Sequence, residues 1–382
     1  MNSIELSKKL GGKIEVRNKQ KLTKQNLPVL YTPGVAEVSR AIAKNKKLAF
    51  EYTIKKNTVA VISDGSAVLG LGNIGPEAAL PVMEGKCLLF KELAEVDAFP
   101  IVLDTQDTEE IIKIIKAIAP TFGGINLEDI SAPRCFEIEK RLKKELDIPV
   151  MHDDQHGTAI VVLAGLINAL KVVKKDIKKI KIVISGAGAA GIAITKLLLR
   201  YGAKDIILAD SMGIIHKERK GLNPAKKEML HFTNIHNVIG MLHHALVGAD
   251  VFIGVSAPNI LTKDDVQKMN KKPIVFTMSN PVPEISPEEA KKGGAFIVAT
   301  GSSKYPNQIN NVLVFPGIFR GALDTRTKKI TDEHKLKAAK AIANLIKKPN
   351  CGKIIPEALD FRVAKAVAGV FKKNKTPYKI TK

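Results

Sequence analysis

The chain has 382 residues, 45% of them hydrophobic and 5% aromatic with no tryptophan, and it carries a formal charge of +22. That length allows two domains with a core each. Cys87, Cys135 and Cys351 are far apart and in no C-x-x-C pair, which argues against a disulfide framework or a thiolate metal site. Of the 60 basic residues only nine are arginine, and they are not interleaved with aromatics, so the charge describes a solvated lysine-rich surface and not a nucleic-acid platform.

The N-terminal residues lack the apolar core of a signal peptide, and no run approaches the ~18 apolar residues of a membrane span. The expectation is a cytoplasmic protein with no membrane partner. Residues 1–22 read as a helix followed by an extended segment, and residues 35–50 have helical spacing, so Tyr31 falls on a loop just before a helix. Residues 58–63 read as a buried strand closed by the turn Asp64-Gly65. The glycine-rich stretch Leu69-Gly-Leu-Gly-Asn-Ile-Gly75 follows, and Pro76 starts a helix to residue 93. Lys86 lies inside it, either as an ordinary snorkelling side chain or, if desolvated beside a carboxylate, as a base of tuned pKa.

Three further strands are expected at 99–103, 124–127 and 148–151, with helices over 131–146 and after a cap at Asp107. The apolar stretch 158–173 reads as a helix joining two domains. Glu128, Asp129, Asp153 and Asp154 all fall at C-terminal ends of strands, the edge where open α/β sheets bind ligands. Crowded carboxylates repel one another unless a cation sits among them, and oxygen donors without cysteine select Mg2+ or Mn2+. Either acidic pair alone could equally be helix caps. His152 and His156 have the spacing of a zinc-binding H-E-x-x-H helix, but Asp153 replaces the glutamate and the run ends a strand.

In the second half a strand at 180–184 runs into Gly186, Ala187, Gly188, Ala189, Ala190 and Gly191, and a helix follows. A second strand then ends at Asp210, about twenty residues past the last glycine, as in the dinucleotide fingerprint. The glycines let a pyrophosphate approach the helix N-terminus, and the acid meets the ribose hydroxyls. Asp210 favours NAD by repelling the extra phosphate of NADP, while His216, Lys217, Arg219 and Lys220 keep NADP open. Strands are expected at 250–255, 273–278 and 295–299. Asn280, Asn310 and Asn311 sit in polar clusters, as Asx turns or as amides for a substrate carboxylate. The fold class is therefore α/β: an N-terminal α/β domain, 1–156, followed by a Rossmann-type doubly wound NAD(P)-binding domain with C-terminal helices, 157–382.

Taken in order, Tyr31-Thr-Pro-Gly-Val, Ser63-Asp-Gly with the glycine-rich stretch, Gly85-Lys86, Leu127-Glu-Asp, His152-Asp-Asp-Gln-His-Gly-Thr, the glycine fingerprint, Ser279-Asn-Pro and Asn310-Asn-Val-Leu-Val-Phe-Pro-Gly resemble a malic enzyme of the short microbial type over nearly the whole chain. The resemblance implies oxidative decarboxylation of malate to pyruvate and CO2 with NAD, or NADP. It implies Glu128, Asp129 and Asp154 as ligands of Mg2+ or Mn2+, Lys86 as general base and Tyr31 as general acid. By the same resemblance Asp153 holds and tunes Lys86, Asn280 with Asn310 or Asn311 binds the substrate carboxylate, and a homodimer supplies Tyr31 from the neighbouring subunit. In one departure, larger members carry an arginine two residues past the Asp-Gly turn, where this chain has Ala67. The chemistry fits the inventory: a lysine of lowered pKa takes the C2 hydroxyl proton as hydride leaves, a divalent cation stabilises the enolate, and Tyr31 protonates C3. The rival readings are a metal-independent 2-hydroxy-acid or amino-acid dehydrogenase and, from charge alone, a nucleic-acid-binding protein.

Overall fold

The computed structural model describes residues 2–68 and 70–371; Leu69 of the glycine-rich loop and the basic tail Lys372 to Lys375 lie outside them. Strands β1 (Thr58–Ser63), β2 (Asp97–Val102), β3 (Gly124–Leu127) and β4 (Val150–His152) form a parallel sheet in the order β2-β1-β3-β4. Every residue of β1 and β3 is buried, as expected of apolar runs covered on both faces. Side chains alternate between faces. Val59 and Val61 join Met83, Cys87 and Phe90 of helix Pro76–Ala94, while Ala60 and Ile62 join Ile111, Ile138 and Leu142 of helices Thr108–Ile118 and Arg134–Glu145. The last of these starts at Arg134, not at 131, because Pro133 disfavours helical backbone in the residue before it.

The second sheet contains β5 (Lys181–Ser185), β6 (Asp205–Asp210), β7 (Gly213–Ile214), β8 (Val251–Gly254), β9 (Ile274–Thr277) and β10 (Ile297–Thr300), in the order β10-β9-β8-β5-β6-β7. All pairings are parallel except the short β7 against β6. From β5 the chain winds to β6 on one side and then to β8 on the other. The crevice beyond β5 is therefore a topological switch point, where doubly wound folds bind nucleotides.

The sheets are joined by helix Asp153–Val173, buried throughout residues 159–170. It begins at Asp153 and not, as expected, at 158: the two acids occupy its first turn, where negative charge meets the positive end of the helix dipole. The expected boundary at 156/157 therefore falls within that first turn. By length and composition alone this helix could cross a membrane, contrary to the expectation that no run comes near, but most of it is buried inside the protein. Its Asn168 Nδ2 donates to Ala343 O (2.8 Å) and Ile354 O (2.9 Å), tying the C-terminal helices to the core. The chain also returns to the first sheet, since Phe315 and Phe319 of helix Phe315–Thr325 pack edge-on against Phe90 at 4.7 and 5.5 Å.

The opening segment behaves differently. Helices Ser3–Leu10 and Val35–Lys44 bury no residue, and Ile4, Leu10, Val16, Val29, Leu30 and Tyr31 are exposed. The helix expected over 35–50 stops at Lys44, where the Asn45 side chain accepts the Lys47 N–H and starts a new turn.

Replacing Asn168 by alanine should strip two buried carbonyls of their donor at a cost of about 1–3 kcal/mol each. The expected result is a lower melting temperature; unchanged melting would contradict the tie.

Candidate active site

Register assembles the site. Ile62 pairs with Leu127 and Leu127 with His152, so Asp64, Asp129 and Asp154 emerge two residues later from three adjacent parallel strands. Asp129 has φ 52°, a left-handed conformation that aspartate tolerates better than most residues. The turn is held by its N–H donating to Asp154 Oδ2 (2.9 Å) and its carbonyl accepting from Ala67 N (2.9 Å).

Glu128, Asp129 and Asp154 each offer an oxygen within 4.8 Å of the others. Asp129 Oδ2 is buried with no hydrogen-bond partner. Burial first, then the charge of Asp154, pushes the Asp129 carboxyl from 3.8 up to about 8. Burial and the three neighbouring aspartates push Glu128 well above the usual range, with Lys86 opposing. An oxygen-only donor set whose negative charges cannot all be expressed unaided fits a hard divalent cation.

Lys86 enters from helix Pro76–Ala94. Its Nζ donates to Asp153 Oδ2 (2.6 Å) and to Glu128 Oε1, and sits 4.5 Å from the centroid of the Phe315 ring. Burial alone would lower its pKa, but Asp153, Glu128 and Asp154 outweigh it and hold the ammonium above its ordinary value. The expected lowered lysine is thus corrected: three carboxylates face this nitrogen, more than the sequence revealed. Gly157 completes the contact, for a Cβ there would lie 1.9 Å from Asp153 Oδ1 and 3.2 Å from the Asn311 Cβ.

The histidines do not converge. His156 Nε2 pairs with Glu139 Oε2 at 2.9 Å, whereas His152 Nε2 lies 3.5 Å from Asp154. Burial lowers His156 to about 4, which keeps it neutral. Glu139 also accepts the His152 N–H (2.9 Å), fixing the turn that carries Asp153 and Asp154.

Asp64, read only as a turn residue, is buried and accepts from Arg134 Nη2 (2.8 Å), which also donates to Ser66 Oγ (2.9 Å). A guanidinium therefore lies beside the residue preceding Ala67. Only the register of β1 with β3 could have announced it.

The two sheet edges meet here. A Cβ on Gly70, at φ 73°, would lie 2.6 Å from Asn280 O, so the glycine-rich loop rests on the loop after β9. Asn311 neighbours the Lys86 cluster through Gly157, while the Asn310 side chain is used as a cap, accepting from Val312 N (2.9 Å). The Ser279 turn is held by the buried Glu284, which accepts from Ser279 N and Ser256 N at 3.1 Å each. Tyr31, by contrast, is 68% exposed, and among the described residues only its backbone is engaged, its N–H donating to Leu27 O (2.9 Å) and its carbonyl accepting from Val35 N (2.7 Å).

The glycine fingerprint has the form of a phosphate cradle. A Cβ on Gly191 would lie 1.7 Å from Gly186 O, and one on Gly186 2.5 Å from Val255 O, so these positions require close backbone approach. A Cβ on Gly188 would meet nothing within 4 Å, which leaves space where a pyrophosphate would lie. Asp210, at the end of β6, is ion-paired to Arg219 and Lys226. Lys226 lies sixteen residues past Asp210, outside the basic run His216 to Lys220 that follows it in sequence.

The sequence matches the family patterns described as malic enzyme, N-terminal domain, over residues 11–143, and malic enzyme, NAD binding domain, over residues 155–373. It is 60% identical over 361 residues to the NAD-dependent malic enzyme of Geobacillus stearothermophilus, covering 94% of this chain and 75% of that one. It is 55% identical to the bifunctional malic/malolactic enzyme of Bacillus subtilis, covering 96% and 90%. The crystal structure of the NAD-dependent malic enzyme of Thermotoga maritima superposes with a TM-score of 0.95 at 50% identity, covering 97% of this chain and 99% of that one.

An Asp129 carboxyl held near pH 8 must lose its proton to ligate a cation, so Mn2+ binding should release protons and tighten as pH rises from 6 to about 8. Calorimetry in buffers of different ionisation enthalpy reads the proton count. An affinity flat across that range with no proton released would remove Asp129 from the ligand set.

Proposed function

From the premise that the chain belongs to the malic enzyme family and oxidatively decarboxylates malate to pyruvate and CO2 with NAD(P), we propose that the Lys86 cleft is where this chemistry occurs. The carrying observation is the convergence of three carboxylate oxygens within 4.8 Å beside a buried lysine held by Asp153 at 2.6 Å. A divalent cation, Mg2+ or Mn2+, held by Glu128, Asp129 and Asp154 would screen the carboxylates that retain the Lys86 proton and would stabilise negative charge on the substrate as a Lewis acid. The dinucleotide, cradled by the backbone of Gly186, Ala187, Gly188, Ala189, Ala190 and Gly191, supplies the hydride acceptor.

In this reading Lys86 is the general base for the C2 hydroxyl, and Asp153 positions it. Asn280 and Asn311 bind a substrate carboxylate through amides without adding charge, and Asn310 supports them by shaping the turn. Tyr31 is the acid that returns a proton to C3 after CO2 has left. It reaches the site of a second copy: the opening segment buries nothing and presents an apolar row that a homodimer would cover. The setting is cytoplasmic, since substrate and cofactor are soluble small molecules and the apolar helix Asp153–Val173 is packed inside the protein.

Lys86→Ala and Tyr31→Phe should each nearly abolish malate oxidation. Dissociated and reassociated together in equal amounts, they should recover about a quarter of wild-type activity, because half the dimers then own one intact site. Mixtures as inactive as their parents would place Tyr31 outside the partner's site. EDTA should stop wild-type turnover and Mn2+ restore it; turnover that survives chelation would count against the cation.

A further inference from the structure

Glu284 lies in the loop after β9, fully buried, and among the described residues no cation pairs with it. Backbone donors satisfy it instead. Its Oε2 accepts from Ser279 N and its Oε1 from Ser256 N, each at 3.1 Å, so one side chain joins the loop after β9 to the loop after β8. Burial pushes its carboxyl above the ordinary range, and these two N–H groups are the chief opposition. A buried anion without a counter-ion is costly, and an uncharged side chain of equal size would cost less. Two donors arriving from different loops, however, need an acceptor at each end of one group. A carboxylate offers that, whereas the amide of a glutamine would turn an N–H toward one of them.

The fold makes room for this group. A Cβ on Gly254, the last residue of β8, would lie 2.4 Å from Glu284 Cδ, so the carboxylate packs against a bare strand end. The backbone of Glu284 is fixed as well, its carbonyl accepting from Leu261 N at 3.0 Å. The two loops it joins lead to different parts of the cleft. Ser256 follows Val255, whose carbonyl closes on Gly186 of the glycine turn, and Ser256 Oγ lies 3.0 Å from Ser185 Oγ at the end of β5. Ser279 precedes Asn280, whose carbonyl supports Gly70 and whose Nδ2 would lie 2.5 Å from a Cβ on Gly301. The attachments are unequal. The Ser256 loop keeps its contact with Ser185 when Glu284 is changed, but among the described residues Ser279 N has no acceptor other than Glu284.

We propose that Glu284 is a positioning residue for the substrate: by tying the Ser279 turn to the Ser256 loop, it holds the Asn280 amide in register with the dinucleotide turn. It acts through Asn280 and not on the reacting atoms. The inference rests on Asn280 binding a substrate carboxylate, as proposed above.

Steady-state kinetics of the full chain with malate, NAD and Mn2+, paired with fluorescence titration of NADH without malate or metal, test it. Glu284→Gln should raise the malate KM about tenfold, the loss of one charge-assisted hydrogen bond, and leave NADH affinity within about twofold. Glu284→Asp keeps the charge but is too short to span both N–H groups. It should raise the KM too, and it carries the test if the glutamine variant does not melt cooperatively. In an Asn280→Ala background, Glu284→Gln should add no more than about twofold, because both changes act through one amide. The inference is overturned if the Glu284 variants leave the malate KM unchanged, if they weaken NADH by the same factor, or if their effect is undiminished without the Asn280 amide. An Asn280→Ala protein with wild-type KM would instead remove Asn280 from the substrate site, and this inference with it.

Discussion

The arrangement depends on one buried ammonium. Lys86 lies among three carboxylates, Glu128 at a strand end and Asp153 and Asp154 in the first turn of the core helix, and no other cation touches Glu128 or Asp153 among the described residues. Burying these acids without it would leave uncompensated charge in a low-dielectric interior, which is strongly destabilising. The lysine in turn is kept protonated by the company it holds. In the proposed reaction this lysine would stay silent as a base until the surrounding negative charge is engaged, which suits a chemistry that must not abstract protons indiscriminately.

A second charge arrangement repeats this logic across the cleft. In the first half one cation serves several anions; in the second, one anion, Asp210, serves two cations. The first cluster carries surplus negative charge, as the proposed metal ion would require, and the second surplus positive charge. Between them the contact of Gly70 with Asn280 sets the two edges face to face. Asn280 and Asn311, the amides proposed for the substrate, stand near this seam, where additional charge would disturb either balance.

Much of the fold was legible because its signals are local. β1 and β3 are continuous apolar runs bounded by turn residues, and helix Pro76–Ala94 announces itself with proline in its first turn. The start of helix Asp153–Val173 was not, because His-Asp-Asp-Gln-His-Gly has the composition of a loop; the acids belong to the helix only because the dipole and Lys86 receive them. The carboxylates were identifiable one by one, but the direction of the Lys86 shift was not, since it depends on how many of them face one nitrogen. Lys226 was missed because nothing in its neighbourhood in sequence points to Asp210. Ile62, Leu127 and His152 share a register that no local pattern records, and it brings Asp64 and Arg134 to the same edge.

The return of helix Phe315–Thr325 to the first sheet bears on how the protein is made. Phe90, Met83 and Cys87 face a surface that this late helix closes. During synthesis the first sheet can form its strands early, since all four lie within residues 58–152. The Phe90 flank of the helix that covers it and the patch at Gly124, where Phe319 packs, nevertheless stay bare on the ribosome until most of the chain has emerged. Such a nascent intermediate displays apolar surface for many seconds, the condition in which chaperones are recruited. The protein is therefore a poor candidate for division into separately expressed halves, although its motifs fall neatly into two.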